Sequence, residues 1–168
     1  NVGLDSRSEK YIPLEHEYIK NHLRHAGDLS SGLNNIKIVV ENKSGDIFNA
    51  EYMETLRQIN DEVFFIKGSD RSKLKSLWTP NGRWTEVTEE GVQGGPVIPA
   101  TYNGDDESLE QLRQNILKSG QVGRLVSNNF KSTMIDIPLY ETDPETNKAL
   151  NPKELADTLE EKIRDKYN

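Results

Sequence analysis

The stretch 74–99, LKSLWTPNGRWTEVTEEGVQGGPVIP, holds both tryptophans of the chain, Trp78 and Trp84, together with Pro80, Pro96 and Pro99. Each indole is a large apolar body that the fold, a ligand or a partner has to bury. The rest of the chain therefore has to meet this segment. Asn81-Gly82 lies between the two rings and is a tight-turn signal, because Gly accepts positive φ and Asn tolerates it. KLKSLW and RWTEVT on either side read as short extended segments. A Trp-bearing hairpin or sharp corner is predicted, followed by a second loop at Gly94-Gly95-Pro96. Two fates for the rings are open: they close the core of a small domain, or one lines a surface for something apolar.

A chain of 168 residues suits one domain or two tightly joined subdomains. Hydrophobic residues are 33% and charged residues 29%, which allows a lean core, and the apolar positions are periodic, unlike those of a disordered chain. The net charge of −7 speaks against nucleic-acid binding, which needs a basic face for phosphate. It also disfavours adsorption to anionic lipid. The absence of cysteine excludes disulfides, thiolate catalysis and Cys-ligated zinc. No run reaches the length of a membrane span, and no signal peptide is recognisable. A start at Asn1 without Met is what an excised fragment or a processed product would have.

Residues 1–12 read as a polar, flexible lead-in, leaving 13–168 as a single domain. PLEHEYIKNHLRHA, 13–26, reads as a short helix with Leu14, Tyr18, Ile19 and Leu23 near one face and Gly27 as its stop. Residues 35–41 alternate, with Ile36, Ile38 and Val40 on one side, and predict a strand. A helix is predicted over 50–66 from Tyr52, Leu56, Ile59, Val63 and Ile66, with Asn49 as N-cap, Phe48 and Met53 as staple, and Gly68 as C-terminal cap. A second helix is predicted over 106–118, capped by Asp105 or Asp106, burying Leu109, Leu112, Ile116 and Leu117 and ended by Gly120. GRLVSNN and KSTMIDIPLYE predict an antiparallel hairpin over 123–128 and 132–139, with Pro138 confining the second strand to an edge or to its own end. A last helix over 152–166 has Asn151 as N-cap, Pro152 at its first position, Glu154 reaching back and a Leu150/Leu155 staple. The expected class is α+β: a small mixed sheet with helices on one face, of split βαβ (ferredoxin-like) type, plus inserted loops.

Chemistry-bearing patterns are few. His16, His22 and His25 are the only histidines, and His22 and His25 would stand one turn apart on the first predicted helix, a conceivable surface metal site. The H-E-x-x-H spacing is absent, however, and a solvated helix face is the plainer reading. Glu86, Glu89 and Glu90 fall in loops with Asp46, Asp70 and Arg71 nearby. Paired carboxylates can do acid–base work, but nothing in this spacing fixes their separation. Gly91, Gly94 and Gly95 form neither a P-loop nor G-x-G-x-x-G, and there is no G-x-S-x-G. The expectation is a non-enzymatic binding or interaction module with no catalytic residue, no cofactor and no metal.

The segments GDIFNAEYMETLRQINDEVFFIKGSDRSKLKSLWTPNGRWTEVTEEGVQGGPVIP, LRQNILKSGQVGRLVSNNFKSTMIDIPL and LEEKIRDKY together resemble an extracytoplasmic loop of RND-superfamily exporters. The hydrophobe/amphiphile efflux (MMPL-type) branch is the most similar, and the resemblance runs from about residue 13 onward. It implies a periplasmic porter domain of a proton-driven inner-membrane exporter. The implied partners are the remainder of that transporter, its second porter domain and a hydrophobic or amphiphilic substrate, with no nucleic acid and a possible oligomer of the parent. The acidic residues that would couple protons are not in this chain, and the resemblance supplies no substrate-contact positions. The Gly and Pro punctuation of 78–99 suggests an apolar loop able to shift, so Trp78, Trp84, Val97 and Ile98 are the candidate substrate-path or interaction surface. A free periplasmic carrier for an apolar ligand and a small hydrolase using the 86–90 region are the competing readings.

Overall fold

A computed structural model describes residues 10–15, 19–28, 33–80 and 82–167. The elements in order are β1 (Lys10–Glu15), β2 (Ile19–Asp28), β3 (Leu33–Asn42), α1 (Ala50–Phe64), β4 (Arg83–Thr88), β5 (Gly91–Pro96), α2 (Asp106–Ser119), β6 (Ser132–Leu139) and α3 (Pro152–Tyr167). The fold is α+β. A four-stranded sheet runs β1-β2-β3-β6, and β4 and β5 form a separate two-stranded hairpin. Within the expected class, every pairing of the larger sheet is antiparallel. The long crossover carrying α1, the hairpin and α2 therefore returns the chain alongside β3 in the opposite direction, not as a parallel βαβ unit.

Alternation decides which face of the sheet is covered. Ile36, Ile38 and Val40 of β3 and Thr133, Ile135, Ile137 and Leu139 of β6 are buried, while Lys37, Val39, Met134 and Asp136 between them stay partly open. Tyr52, Met53, Leu56, Ile59 and Val63 of α1 and Ala156, Leu159 and Ile163 of α3 join the same core. The Tyr52 hydroxyl lies 2.6 Å from the Val40 carbonyl, to which it donates, and 2.7 Å from Thr133 Oγ1. It thus satisfies its polar end inside that core. α3 lies against β1, β2 and β3, and Lys166 Nζ reaches Glu62 Oε1 at 2.6 Å, tying α3 to α1.

The predicted N-caps are in place. Asn49 Oδ1 accepts from the Tyr52 amide at 2.8 Å, Asp105 Oδ1 from Ser108 at 2.7 Å, and Asn151 Oδ1 from Lys153 at 2.9 Å. Gly120 closes α2 in the left-handed region. β6 stands at the end of the strand order, as Pro138 requires.

Other expectations are corrected. The region predicted as a helix over 13–26 is two strands, β1 and β2, with residues 16–18, His16 included, outside the described residues. Lys10–Ile12 of the predicted lead-in open β1, and 1–9 lie outside the described residues. α1 ends at Phe64 with Phe65 as C-cap, short of residue 66 and of Gly68, because β-branched and aromatic residues crowd its last turn. Residues 123–128 make single bridges, such as Val126 to Thr133, with the Leu125 carbonyl accepting from the Met134 amide at 2.9 Å, and no continuous strand. Leu117, expected on the buried side of α2, is 54% exposed. Asn115 takes that side instead, donating to the Val97 carbonyl at 3.0 Å.

Candidate functional site

The hairpin of the 74–99 stretch lies one segment later than its turn signal suggests. Asn81 is outside the described residues, and β4 and β5 pair through Arg83↔Pro96 to Thr88↔Gly91, with Glu89 and Glu90 in the turn. Gly91 takes φ +117 there, a conformation that suits glycine alone. The segment before it is no extended arm: Arg71–Lys73 is a single 3-10 turn, and Leu74 and Leu77 enter the core.

The two tryptophans have different duties. Trp78 packs on the core margin. Its Nε1 donates to the Met53 carbonyl at 3.1 Å, and its ring meets Tyr102 edge-on at 5.7 Å. The turn that presents it is locked to α1 by a buried Ser76 Oγ to Asn60 Oδ1 bond of 2.6 Å. Burial, with Glu54 nearby, pushes the Tyr102 phenol above its ordinary range. Trp84 instead clamps the base of the hairpin. It lies across from Gly95 in the register, and a Cβ on Gly95 would come within 3.2 Å of the indole Nε1. A Cβ on Gly94 would meet the Trp84 carbonyl oxygen at 2.8 Å. The paired glycines thus let the strands and the ring close up, a glycine cross-paired with an aromatic. On α2, Lys118 Nζ stands 4.5 Å from the Trp84 ring centroid and 2.8 Å from Glu86 Oε1, so cation–π and ionic contacts hold hairpin to helix.

Of the other candidates, Val97 is 1% exposed and therefore core, and Ile98 packs partly buried against that core. What the hairpin offers solvent is its tip. Val87 and Val92 are direct cross-strand partners, 83% and 72% exposed. They escaped the sequence reading, although an apolar residue on each side of T-E-E-G was a legible hairpin signal.

The acidic residues do not converge. Glu86 pairs with Lys118, Asp46 lies 3.7 Å from Arg113 Nη2, and Asp70 accepts from Ser72 Oγ at 2.6 Å beside the β6 edge. Arg71 stands over Phe64 and Phe65 at 5.4 and 5.6 Å. His22 and His25 lie on a strand, β2, so the helical spacing that suggested a metal is gone. Among the described residues no group of three or more His, Cys, Asp or Glu is placed to hold a metal, and no helix is long and apolar enough to cross a membrane. Comparison of the chain with family models, with curated proteins and with solved structures finds no match.

Proposed function

We propose that the chain is an extracytoplasmic porter domain of an RND-superfamily exporter of the hydrophobe/amphiphile efflux branch, a non-enzymatic part that forms a wall or docking surface of the export path. The observation that carries the reading is the β4–β5 arm: clamped at its base by Trp84, it presents a Val87–Val92 pair to solvent. A monomeric scaffold gains only a few tenths of a kcal/mol from an exposed apolar cross-strand pair, whereas a partner wall or an amphiphile would cover it. The segment-by-segment resemblance supplies the family, and the remainder of the membrane transporter, with its second porter domain, supplies the partner. A porter wall works by offering a surface whose accessibility differs between transport states, so that substrate affinity differs between them.

The test is confined to the tip, because removing all of 74–99 would also take Leu74, Leu77 and Val97 from the core. Val87→Ser with Val92→Ser in the full-length parent is expected to lower export of a hydrophobic substrate while the amount of membrane-inserted protein stays the same. Export at the original rate would overturn the role given to the arm.

A further inference from the structure

The open face of the sheet carries a cleft of about 350 Å³ over β6, lined by Lys37, Lys75, Arg124 and Asp136, with Leu125 and Met134 as its apolar side. A second hollow of about 240 Å³ shares Arg124, Leu125 and Met134 with it and adds Val39 and Val126. Together they make a charged hollow and a neighbouring one in which Val39, Leu125 and Met134 stand among Ser127, Asn128 and Ser132, within the range of small-molecule sites.

The charge there runs against that of the chain. The protein carries 21 basic and 28 acidic residues. Several cations elsewhere stand on carboxylates: Lys67 on Asp143, Arg113 on Asp46, Lys118 on Glu86 and Lys166 on Glu62. Lys37, Lys75 and Arg124 are among the described cations that show no such pair, and what sets these three apart is that they line one cleft. In the backbone register the row across the sheet reads Arg24, Lys37, Asp136, Lys75. Asp136, the carboxylate among the lining residues, accepts from Asn35 Nδ2 at 2.8 Å. Three cations against one carboxylate in a concave, partly apolar setting focus a positive potential.

We infer that this cleft is an anion subsite for the head group of an amphiphile, a carboxylate, sulfate or phosphate monoester. The head group seats among Lys37, Lys75 and Arg124, and its alkyl part lies along Leu125, Met134 and Val39. Arg124 offers a planar fork that matches the oxygens of such a group, and the lysines add point charge. Met134 supplies an adaptable apolar wall. The inference rests on the porter reading for its cargo and narrows that cargo to anionic amphiphiles.

The experiment is an amide NMR titration of the full chain with sodium decanoate below its micelle concentration, beside decyl maltoside and inorganic phosphate. Decanoate is expected to move the amides of residues 37–39, 124–126 and 134–136 saturably, and decyl maltoside to leave them in place. Arg124→Gln should weaken decanoate binding about tenfold, the loss of one charge-assisted contact. Asp136→Asn should tighten it by removing the like charge, with both variants melting as the original does. Shifts confined to the hairpin tip, equal response to decyl maltoside, phosphate binding as tight as decanoate, or variants that bind alike would each overturn the subsite. Those failures leave the export reading standing, because that reading is decided by the Val87 and Val92 variants in the parent.

Discussion

β3–β6 and β4–β5 are both antiparallel pairings, and they live in opposite surroundings. Along β6 the side chains alternate between buried and partly open, and the buried set lies under α1 and α3. Along β4 and β5 no residue is buried. Pairing backbone groups is worth little net in water, since the unfolded chain pairs them with solvent, and an isolated two-stranded hairpin is marginal at best. The first pair therefore stands because it removes apolar surface from water. The second stands because its base is held by Trp84, Lys118 and the Val97–Asn115 bond. One region is scaffold; the other is an arm whose tip is free to do something else.

The comparison breaks first at the scaffold. Ile38 is fully buried in β3, and Ile38→Ala should cost about 2–5 kcal/mol, a large part of a small domain's stability, read as a lower urea midpoint. A change well under that would mean the sheet is not the stabilising layer. Trp78→Ala should come next, at about 2–3 kcal/mol, because the ring is half-buried and its Nε1 bond to Met53 is also lost. Trp84→Ala should cost only about 1 kcal/mol globally, while exposing the hairpin amides to hydrogen exchange. Equal costs for the two tryptophans would erase the distinction between core margin and clamp.

Tyr52 sharpens the same contrast through pH. Tyr52→Phe should cost about 1–3 kcal/mol by leaving Val40 and Thr133 without their partner. Burial holds the Tyr52 phenol well above the ordinary tyrosine range. The folded state therefore keeps the proton that the unfolded chain gives up. The contribution is whole below about pH 10, the unfolded value, and is lost as the pH rises above it. The alkaline fall in stability, followed by urea melts at rising pH, should be shallower in Tyr52→Phe.

How much was legible in the sequence follows the range of the interactions. The three helices were readable because caps are local: an Asn or Asp two or three residues before the amide it accepts from is visible in any window. β1 and β2 were not. Leu14, Tyr18, Ile19 and Leu23 satisfy a helical spacing, whereas the strand lane reads Ile19, Asn21, Leu23, His25, interrupted by polar residues. What makes it a strand is its long-range register with β3, Leu23 opposite Ile38 and Asn21 opposite Val40, which no local period encodes. In the Trp stretch a hairpin was expected and is present, but its turn was misplaced. Asn81-Gly82 is the stronger propensity signal, and Glu89-Glu90-Gly91 forms the hairpin because Gly94 and Gly95 let Trp84 close across it. The cleft of Lys37, Lys75 and Arg124 was invisible, since its residues come from three distant segments.

The smallest expected effect on stability belongs to the arm's tip. Val87 and Val92 face each other across the hairpin and remain 83% and 72% exposed, so almost none of their area leaves water on folding, and the transfer term that makes Ile38 costly is nearly absent. What remains is the cross-strand contact, worth a few tenths of a kcal/mol. Val87→Thr with Val92→Thr keeps β-branching and strand preference while adding hydroxyls that solvent can reach. The urea midpoint should therefore move by less than about 0.5 kcal/mol equivalent, and the hairpin amides should exchange as before. If instead the double variant melts far earlier, the tip is buried against something in the chain itself and is scaffold after all. If stability holds and export by the proposed parent transporter falls, the two antiparallel pairs are separated by function as well as by burial.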